Sequence, residues 1–488
     1  MNHVTVTLGA DVHAKLLRGV NTIAEPVAST LGPGGRAVLI EHASDTAAFT
    51  LDGTSVADAV QKLADPVEDL GAQTVRRAAR KTVADAGDGT TTTTVLLRAM
   101  FAEGCKRLAA GHHAVDVARE LRADAAKVEG ALREMAIKAD AHALRLVAAV
   151  STHGDHMLGD LVARAVEATG NTGYISVAPG ETTTVEIVTS YVFPRPLLDA
   201  SFAKDKDGTT TLNNPAIVVS SVPMSLRTDI KPLLKLAGER PLVLIAPVLG
   251  EAVAACKAND VVCVSSAGVD LDALEDLAVA IGAQVLRQGV HTPATVVASD
   301  LSFTCTAFTA GPRGTFFVGT RDEGRLERHI ASIDPKAVRR LAALRGKVAT
   351  IYLAATTEAG WSHAKDLVDD AIGACRAAFR GGVLPGGGIA LARLSGVLDA
   401  GSVTRVALTE PLKRIASNAG KSGEAVLDRV LASAHFTYGY DARAHAYGDI
   451  VEVGIIDPLE VTLAALRNAA EFAALLLTTS ATVHEVKG

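Results

Sequence analysis

The run Asp88-Gly89-Thr90-Thr91-Thr92-Thr93-Thr94 limits the fold of this chain most tightly, because five consecutive β-branched hydroxyl residues lie between two segments of helical pattern. Upstream, Val67, Leu70, Val75, Ala78 and Val83 recur at roughly helical spacing over 66–84, and downstream an apolar helical pattern resumes through Gly104. The threonines therefore open a helix. At such a terminus the first backbone N–H groups lack intrahelical partners and carry partial positive charge, which suits phosphate oxygens. Gly89 lets the backbone come close, Thr90, Thr91 and Thr92 offer further donors, and Asp88 suits the Mg2+ that accompanies a triphosphate. An isolated Asp-Gly-Thr would read more plainly as an N-cap and first turn. Five threonines in a row disfavour that reading, since β-branched residues are poor helix formers unless their hydroxyls are employed.

A second glycine turn, Thr30-Leu31-Gly32-Pro33-Gly34-Gly35, lies between the helical stretch 11–29 and a strand predicted at 37–41. Beyond it, Asp52-Gly53-Thr54 places another carboxylate on a tight turn before a helical segment. Neither turn closes with Gly-Lys-Ser/Thr, so the sequence implies an ATP site that is not of the Walker type.

Taken in order, TLGPGGRAVLIEH, LDGTSVADAV, EDLGAQTVRRAA and DAGDGTTTTTVLL resemble the N-terminal region of group I chaperonins of the GroEL type. The resemblance extends to 150–177, to DDAIGACRAAFRGGVLPGGGIAL at 369–391 and to 437–483, and is weak from about 190 to 345. It implies a multidomain α/β and α architecture: a mainly helical equatorial ATPase domain (1–134 and 379–488), a small intermediate hinge domain (135–187 and 355–378) and an inserted α/β apical domain (188–354). Within the insertion, the apolar runs 216–222, 240–248, 260–269 and 284–290 alternate with helical stretches, as an α/β sheet requires.

By the same resemblance, Asp370 activates the water that attacks the γ-phosphate, and Asp52 orients that water from the opposite side. Asp370 lies on a predicted connecting helix, 361–380, so turnover is expected only when that helix swings to the nucleotide. Asp366 and Asp369 fall off the helix's apolar stripe and read as a solvated acidic face. Thr30, Leu31, Gly32, Pro33, Asp88, Gly89, Thr90, Thr91, Thr92 and Gly387 match nucleotide-contacting positions, with Mg2+ on Asp88 and K+ beside Thr30. Asp441 and Ala442 match the base pocket, and Asp457 suits ribose hydroxyls. Asp441 stands where the family usually has Asn, and ionised Asp can accept but not donate toward a base. Leu51 replaces a Lys usual beside the catalytic Asp.

The resemblance also implies a homo-oligomeric, heptameric ring that captures unfolded client proteins on an apolar apical groove, which also receives a lid co-chaperonin. Leu197, Phe202, Ile230 and Leu233 are the candidate client contacts here. The second groove helix, GEAVAACKAND, is short and carries Lys257, which weakens apolar capture. Rearranged charges at 417–427 leave one ring or two open, and the tail TVHEVKG lacks the family's Gly-Gly-Met repeats. Such divergence fits a viral or accessory paralogue.

Composition agrees. A chain of 488 residues exceeds one core, and 48% apolar with 4% aromatic content means packing by Ala, Val and Leu. A net charge of −6 gives no reason to expect nucleic acid. Five irregularly spaced cysteines and the absence of a signal peptide point to a cytoplasmic setting, whether bacterial or infected-host cytosol. The apolar stretch 463–483 is interrupted by Arg467, Asn468 and Glu471 and reads as a buried helix, not a membrane span. The leading expectation is an ATP-dependent folding cage, an ATPase. Alternatives are a nucleotide-binding ring with a dedicated partner or scaffold role, a group II chaperonin, which shares GDGTTT but needs a long apical protrusion, and a monomeric small-molecule kinase.

Overall fold

The computed structural model describes residues 3–41, 47–171, 173–205, 208–312, 314–319, 322–334, 337, 340–341, 344 and 346–486. The chain forms two compact units, one from Met1–Asn171, Val177–Val185 and Ile351–Gly488, the other from Thr172–Ser176 and Glu186–Thr350.

The first unit is mainly helical. Its N-terminal part carries α1 (Ala10–Ser29), α2 (Gly53–Ala59), α3 (Pro66–Ala86), α4 (Thr90–Ala109), α5 (Ala114–Met135), α6 (Ala141–Ser151) and α7 (His156–Thr169). After the insertion come the return helix Glu358–Gly381 and the C-terminal helix Leu459–Leu477. Leu16, Ile23, Leu96, Leu97, Met100, Phe101, Leu121 and Leu132 are fully buried, packed with Leu466, Ala469 and Ala473 of the C-terminal helix. Alanine at those C-terminal positions lets the helices lie close without large side chains to interdigitate. α3 starts where Asp65 accepts the N–H groups of Val67 (2.8 Å) and Glu68 (3.2 Å), with Pro66 in the first turn.

One expectation is corrected at the C-terminus. The apolar stretch does not stay helical to 483: the helix stops at Leu477, and Ala481–Val486 is a strand antiparallel to His3–Leu8. The hydroxyls of Thr478 and Thr479 fold back onto the carbonyls of Ala474 (3.0 Å) and Leu475 (2.9 Å), and the residues beyond are rich in β-branched types. The final two residues of the tail lie outside the described residues. Among the described residues no helix is long and apolar enough to cross a membrane.

The second unit is α/β. Its four apolar runs contain the parallel strands Ala216–Ser220, Leu242–Ala246, Val262–Ser265 and Val285–Leu286, with the last pairing on the first. Continuous apolar sequence is what a parallel sheet covered on both faces demands. α8 (Arg227–Ala237), α9 (Gly250–Ala258) and α10 (Leu271–Ile281) accompany this sheet. Thr210–Asn213, Cys305–Gly311 and Gly314–Gly319 pair antiparallel, and Gly314–Gly319 pairs in turn with the end of Thr184–Phe193.

The candidate client contacts are corrected here. Leu197, Phe202, Ile230 and Leu233 are 8%, 5%, 1% and 0% exposed and belong to the unit's hydrophobic core. A helix laid on a sheet turns its apolar stripe inward, so Ile230 and Leu233 hold α8 down and cannot face a client. Exposed apolar side chains nearby are instead Leu226 and Leu249, at 57% and 56%, which precede α8 and α9.

Candidate active site

Two left-handed glycines, Gly87 (φ 85°) and Gly89 (φ 101°), bracket Asp88 between the end of α3 and the start of α4. A side chain at either position would be strained, and glycine is not. The five threonines then divide their work. Thr94 donates to the carbonyl of Thr90 (2.9 Å), and the Thr93 hydroxyl lies 2.9 Å from both the carbonyl of Gly89 and the hydroxyl of Thr82. Thr90, Thr91 and Thr92 line a cavity of about 430 Å3, within the roughly 300–1,000 Å3 of typical ligand sites.

Every nucleotide-contacting residue expected from the sequence lines this one cavity. Thr30, Leu31, Gly32, Pro33, Asp52, Asp88 and Gly89 come from the chain before the insertion, and Asp370, Gly387, Asp441, Ala442 and Asp457 from the chain after it. The turn at Thr30 is pinned by the Asn418 side-chain amide, which donates to the carbonyls of Ala28 and Leu31 at 2.9 Å each. The Thr30 hydroxyl donates to the carbonyl of Val27 at 2.8 Å. Asp52 caps α2, accepting from the N–H groups of Thr54 (2.9 Å) and Ser55 (2.7 Å), while the Thr54 hydroxyl meets that of Thr90 at 2.9 Å. Asp457 accepts the backbone N–H groups of Gly387 and Gly388. Asp441 accepts those of Arg443 (2.8 Å) and Ala444 (3.1 Å), fixing the turn between strands Tyr438–Asp441 and Ala446–Asp449.

Asp370 reaches the cavity because two backbones nearly touch. A Cβ added to Gly373 would lie 2.3 Å from the carbonyl oxygen of Gly87, and one on Gly87 would lie 2.7 Å from the Cα of Gly373. Only glycine at both positions lets the return helix sit against the turn that holds Asp88. Ala86, Ala377, Val461 and Ala464 form a small buried cluster at the same junction.

The carboxylates have little compensation. Burial pushes Asp88 up to about 6, aided by the charge of Asp52 and opposed by the N–H of Gly89. Burial raises Asp457 to about 7, with Asp88 adding to the shift and the two glycine amides opposing it. Asp370 rises to about 9, first through burial and then through Asp88 and Asp52. Such a site favours a bound cation, and the open amides of α4 favour an anion beside it.

Residues 23–240 and 234–487 match the model of the TCP-1/cpn60 chaperonin family. The chain belongs to this family. Among solved structures it is similar to the chaperonin gp146 from the bacteriophage EL 2 (Pseudomonas aeruginosa), at 21% identity and a TM-score of 0.71 over 99% of each chain. That crystal structure was determined in the presence of ATP-BeFx.

The chaperonin's cavity also holds residues the sequence reading left out. Asp366, read there as part of a solvated face, lines the cavity, and its pKa is raised by burial and by Asp52. It lies four residues before Asp370, so helical spacing alone puts the two on one face. Asp369 is on the other side, bonded to Lys365 at 2.6 Å. His153, His363 and Arg443 line the cavity too, and His153 is held below its ordinary pKa by burial and then by the charges of His363 and Arg443.

Proposed function

We propose that this chaperonin is an ATP-driven folding chaperone in which hydrolysis in the first unit drives the second unit between client-holding and enclosing states. One observation carries the reading: Asp370, from the far side of the insertion, shares a cavity with Asp88 and the open end of α4. Phosphoryl transfer asks a protein mainly for positioning and charge stabilisation. In this reading Asp370 takes the proton of the attacking water, Asp52 orients that water, and the amides and hydroxyls of Thr90, Thr91 and Thr92 hold the phosphates, with Gly89 letting the backbone come close.

Among the described residues no three His, Cys, Asp or Glu side chains gather as a metal cage. Mg2+ is ordinarily held by one or two carboxylates plus phosphate oxygens and water, and Asp88 fits that role. The Thr30 hydroxyl donates its hydrogen to Val27 and keeps its lone pairs, so it and the main-chain carbonyl there are the groups offered to K+. The domains assigned are 1–134 with 379–488 (equatorial), 135–187 with 355–378 (intermediate) and 188–354 (apical). Subunits assemble as a heptameric ring that a lid co-chaperonin can cap. Five free cysteines support a reducing, cytosolic setting.

The test is refolding of a denatured client with ATP, with ADP and without nucleotide, with hydrolysis followed in parallel. Refolding that needs ATP supports the reading, and no ATP hydrolysis by the assembled protein overturns it. A second reading, a ring serving a dedicated partner or scaffold role, is favoured by the core positions of the expected client residues and by Lys257. That lysine pairs with Asp199 at 3.5 Å and lies 5.3 Å from the ring centre of Phe202. Hydrolysis without capture of any denatured client would select it.

A further inference from the structure

We infer that Arg443 is a positioning residue that latches the α6–α7 turn onto the base-proximal wall of the cavity, an assignment that rests on the nucleotide reading above. Two walls are involved. One is the hairpin turn 441–446, where the N–H of Arg443 is fixed on the Asp441 carboxylate, so the side chain leaves the hairpin from a defined point. The other is the turn after α6, where His153 (φ 53°) and Gly154 (φ 86°) are left-handed in succession. The guanidinium donates to the carbonyl of His153 at 2.6 Å, and Arg443, His153 and Gly154 all line the cavity.

Gly154 is matched to this contact. A Cβ there would lie 1.9 Å from Nη1 of Arg443, so any other residue displaces the guanidinium in addition to straining the turn. The turn is otherwise self-contained, with the Thr152 hydroxyl 2.9 Å from the carbonyls of Ala148 and Asp155. The ion–carbonyl hydrogen bond is therefore a removable link between the wall carrying Asp441 and Ala442 and the segment leading into α7. A nucleotide base seated between the two walls is retained while the link holds and leaves faster when it is cut.

The experiment compares wild type, Arg443→Ala, Arg443→Lys, Gly154→Ala and the Gly154→Ala/Arg443→Ala double variant. Release of a fluorescent ADP analogue is followed by stopped flow, with KM and kcat for ATP from steady state. Loss of one charge-assisted bond at an exposed site predicts that Arg443→Ala raises the release rate and KM about fivefold, with a smaller change in kcat. Lysine restores part of the retention. Gly154→Ala gives the same direction, and the double variant is no worse than the more affected single variant. Unchanged release in Arg443→Ala, or effects that multiply in the double variant, would overturn the latch. A wild type that binds no adenine nucleotide would instead sink the nucleotide reading itself.

Discussion

Replacing Asp88 by Asn should stabilise the ligand-free chaperonin while removing its response to nucleotide. Asn keeps the shape and an oxygen to accept the N–H of Gly89, but carries no charge to desolvate. Burial lifts the Asp88 carboxyl from 3.8 to about 6, a shift of roughly two units, or about 3 kcal/mol of preference for the neutral form. Because the folded value lies above the unfolded one, stability falls as pH rises from about 4 through 6, and the full cost is present at pH 8. Relaxation around Asn and the carboxylates that remain reduce the gain, leaving about 1–3 kcal/mol, or about 2–5 °C in the melting midpoint of a unit of this size. The assay is thermal unfolding of wild type and Asp88→Asn at pH 4, 6 and 8, with and without Mg–ATP. The variant should melt higher at pH 8, converge with wild type near pH 4, and lose the ligand-induced rise that saturating nucleotide gives wild type, about 2.7 kcal/mol at a hundredfold excess over Kd. An Asp88→Asn protein that melts lower than wild type at pH 8, or still rises normally with Mg–ATP, would refute the reasoning.

Asp370→Ala should lower ATP turnover by about 100-fold or more, as expected for loss of a general base, with nucleotide still bound; steady-state hydrolysis beside equilibrium binding checks this. Gly373→Ala should slow hydrolysis about tenfold by pushing the return helix off Gly87, a small displacement at the reacting groups; the readout is single-turnover hydrolysis with circular dichroism confirming the fold. Leu226→Ser combined with Leu249→Ser should reduce capture of a denatured client about tenfold while ATP hydrolysis is retained, removing two desolvated anchors; co-sedimentation with a denatured enzyme measures it.

What the sequence disclosed follows from which interactions are local. The helices on either side of Asp88 and the parallel strands of the second unit are written in spacing, period 3.6 in one case and unbroken apolar runs in the other. The convergence of Thr30, Asp88, Asp370 and Asp457 was legible only through resemblance, because nothing in periodicity ties residue 88 to residue 370. Asp366 was within reach, since a residue four positions before Asp370 shares its face, and the apolar stripe alone misplaced it. Ile230 and Leu233 show the reverse difficulty: an apolar stripe reads the same whether it faces a sheet or a client, and burial decides. Arg443 falls within the stretch that resembles the family's base pocket, but nothing in the sequence pointed to its own part. Its role depends on a left-handed carbonyl at His153, and backbone conformation at a non-glycine residue is not written in composition. The strand at 481–486 was hidden for a related reason, because its partner is at the opposite end of the chain.

The carboxylate cluster has one further consequence, in protons. Before nucleotide binds, Asp370 with a pKa of about 9 is protonated at pH 7, Asp457 at about 7 is half protonated, and Asp88 at about 6 mostly ionised. A bound cation draws each toward an ordinary carboxylate value, so binding of Mg–ATP at pH 7 should release about one to two protons per site. Release should shrink below pH 4, where all forms hold their protons, and above pH 9 to 10, where the ligand-free site has already lost them. His153 acts in the other direction. Held below its ordinary pKa by burial and its cationic neighbours, it gains affinity for a proton beside an anion, so the wild-type balance alone does not assign the source. Asp370→Asn does, because it removes the group with the largest shift. Calorimetry of Mg–ATP binding in two buffers of different ionisation enthalpy gives the proton count directly. The variant should release about one proton fewer than wild type at pH 7, and equal counts would show that Asp370 is ionised before nucleotide arrives, contrary to the burial argument that keeps it protonated in the empty site.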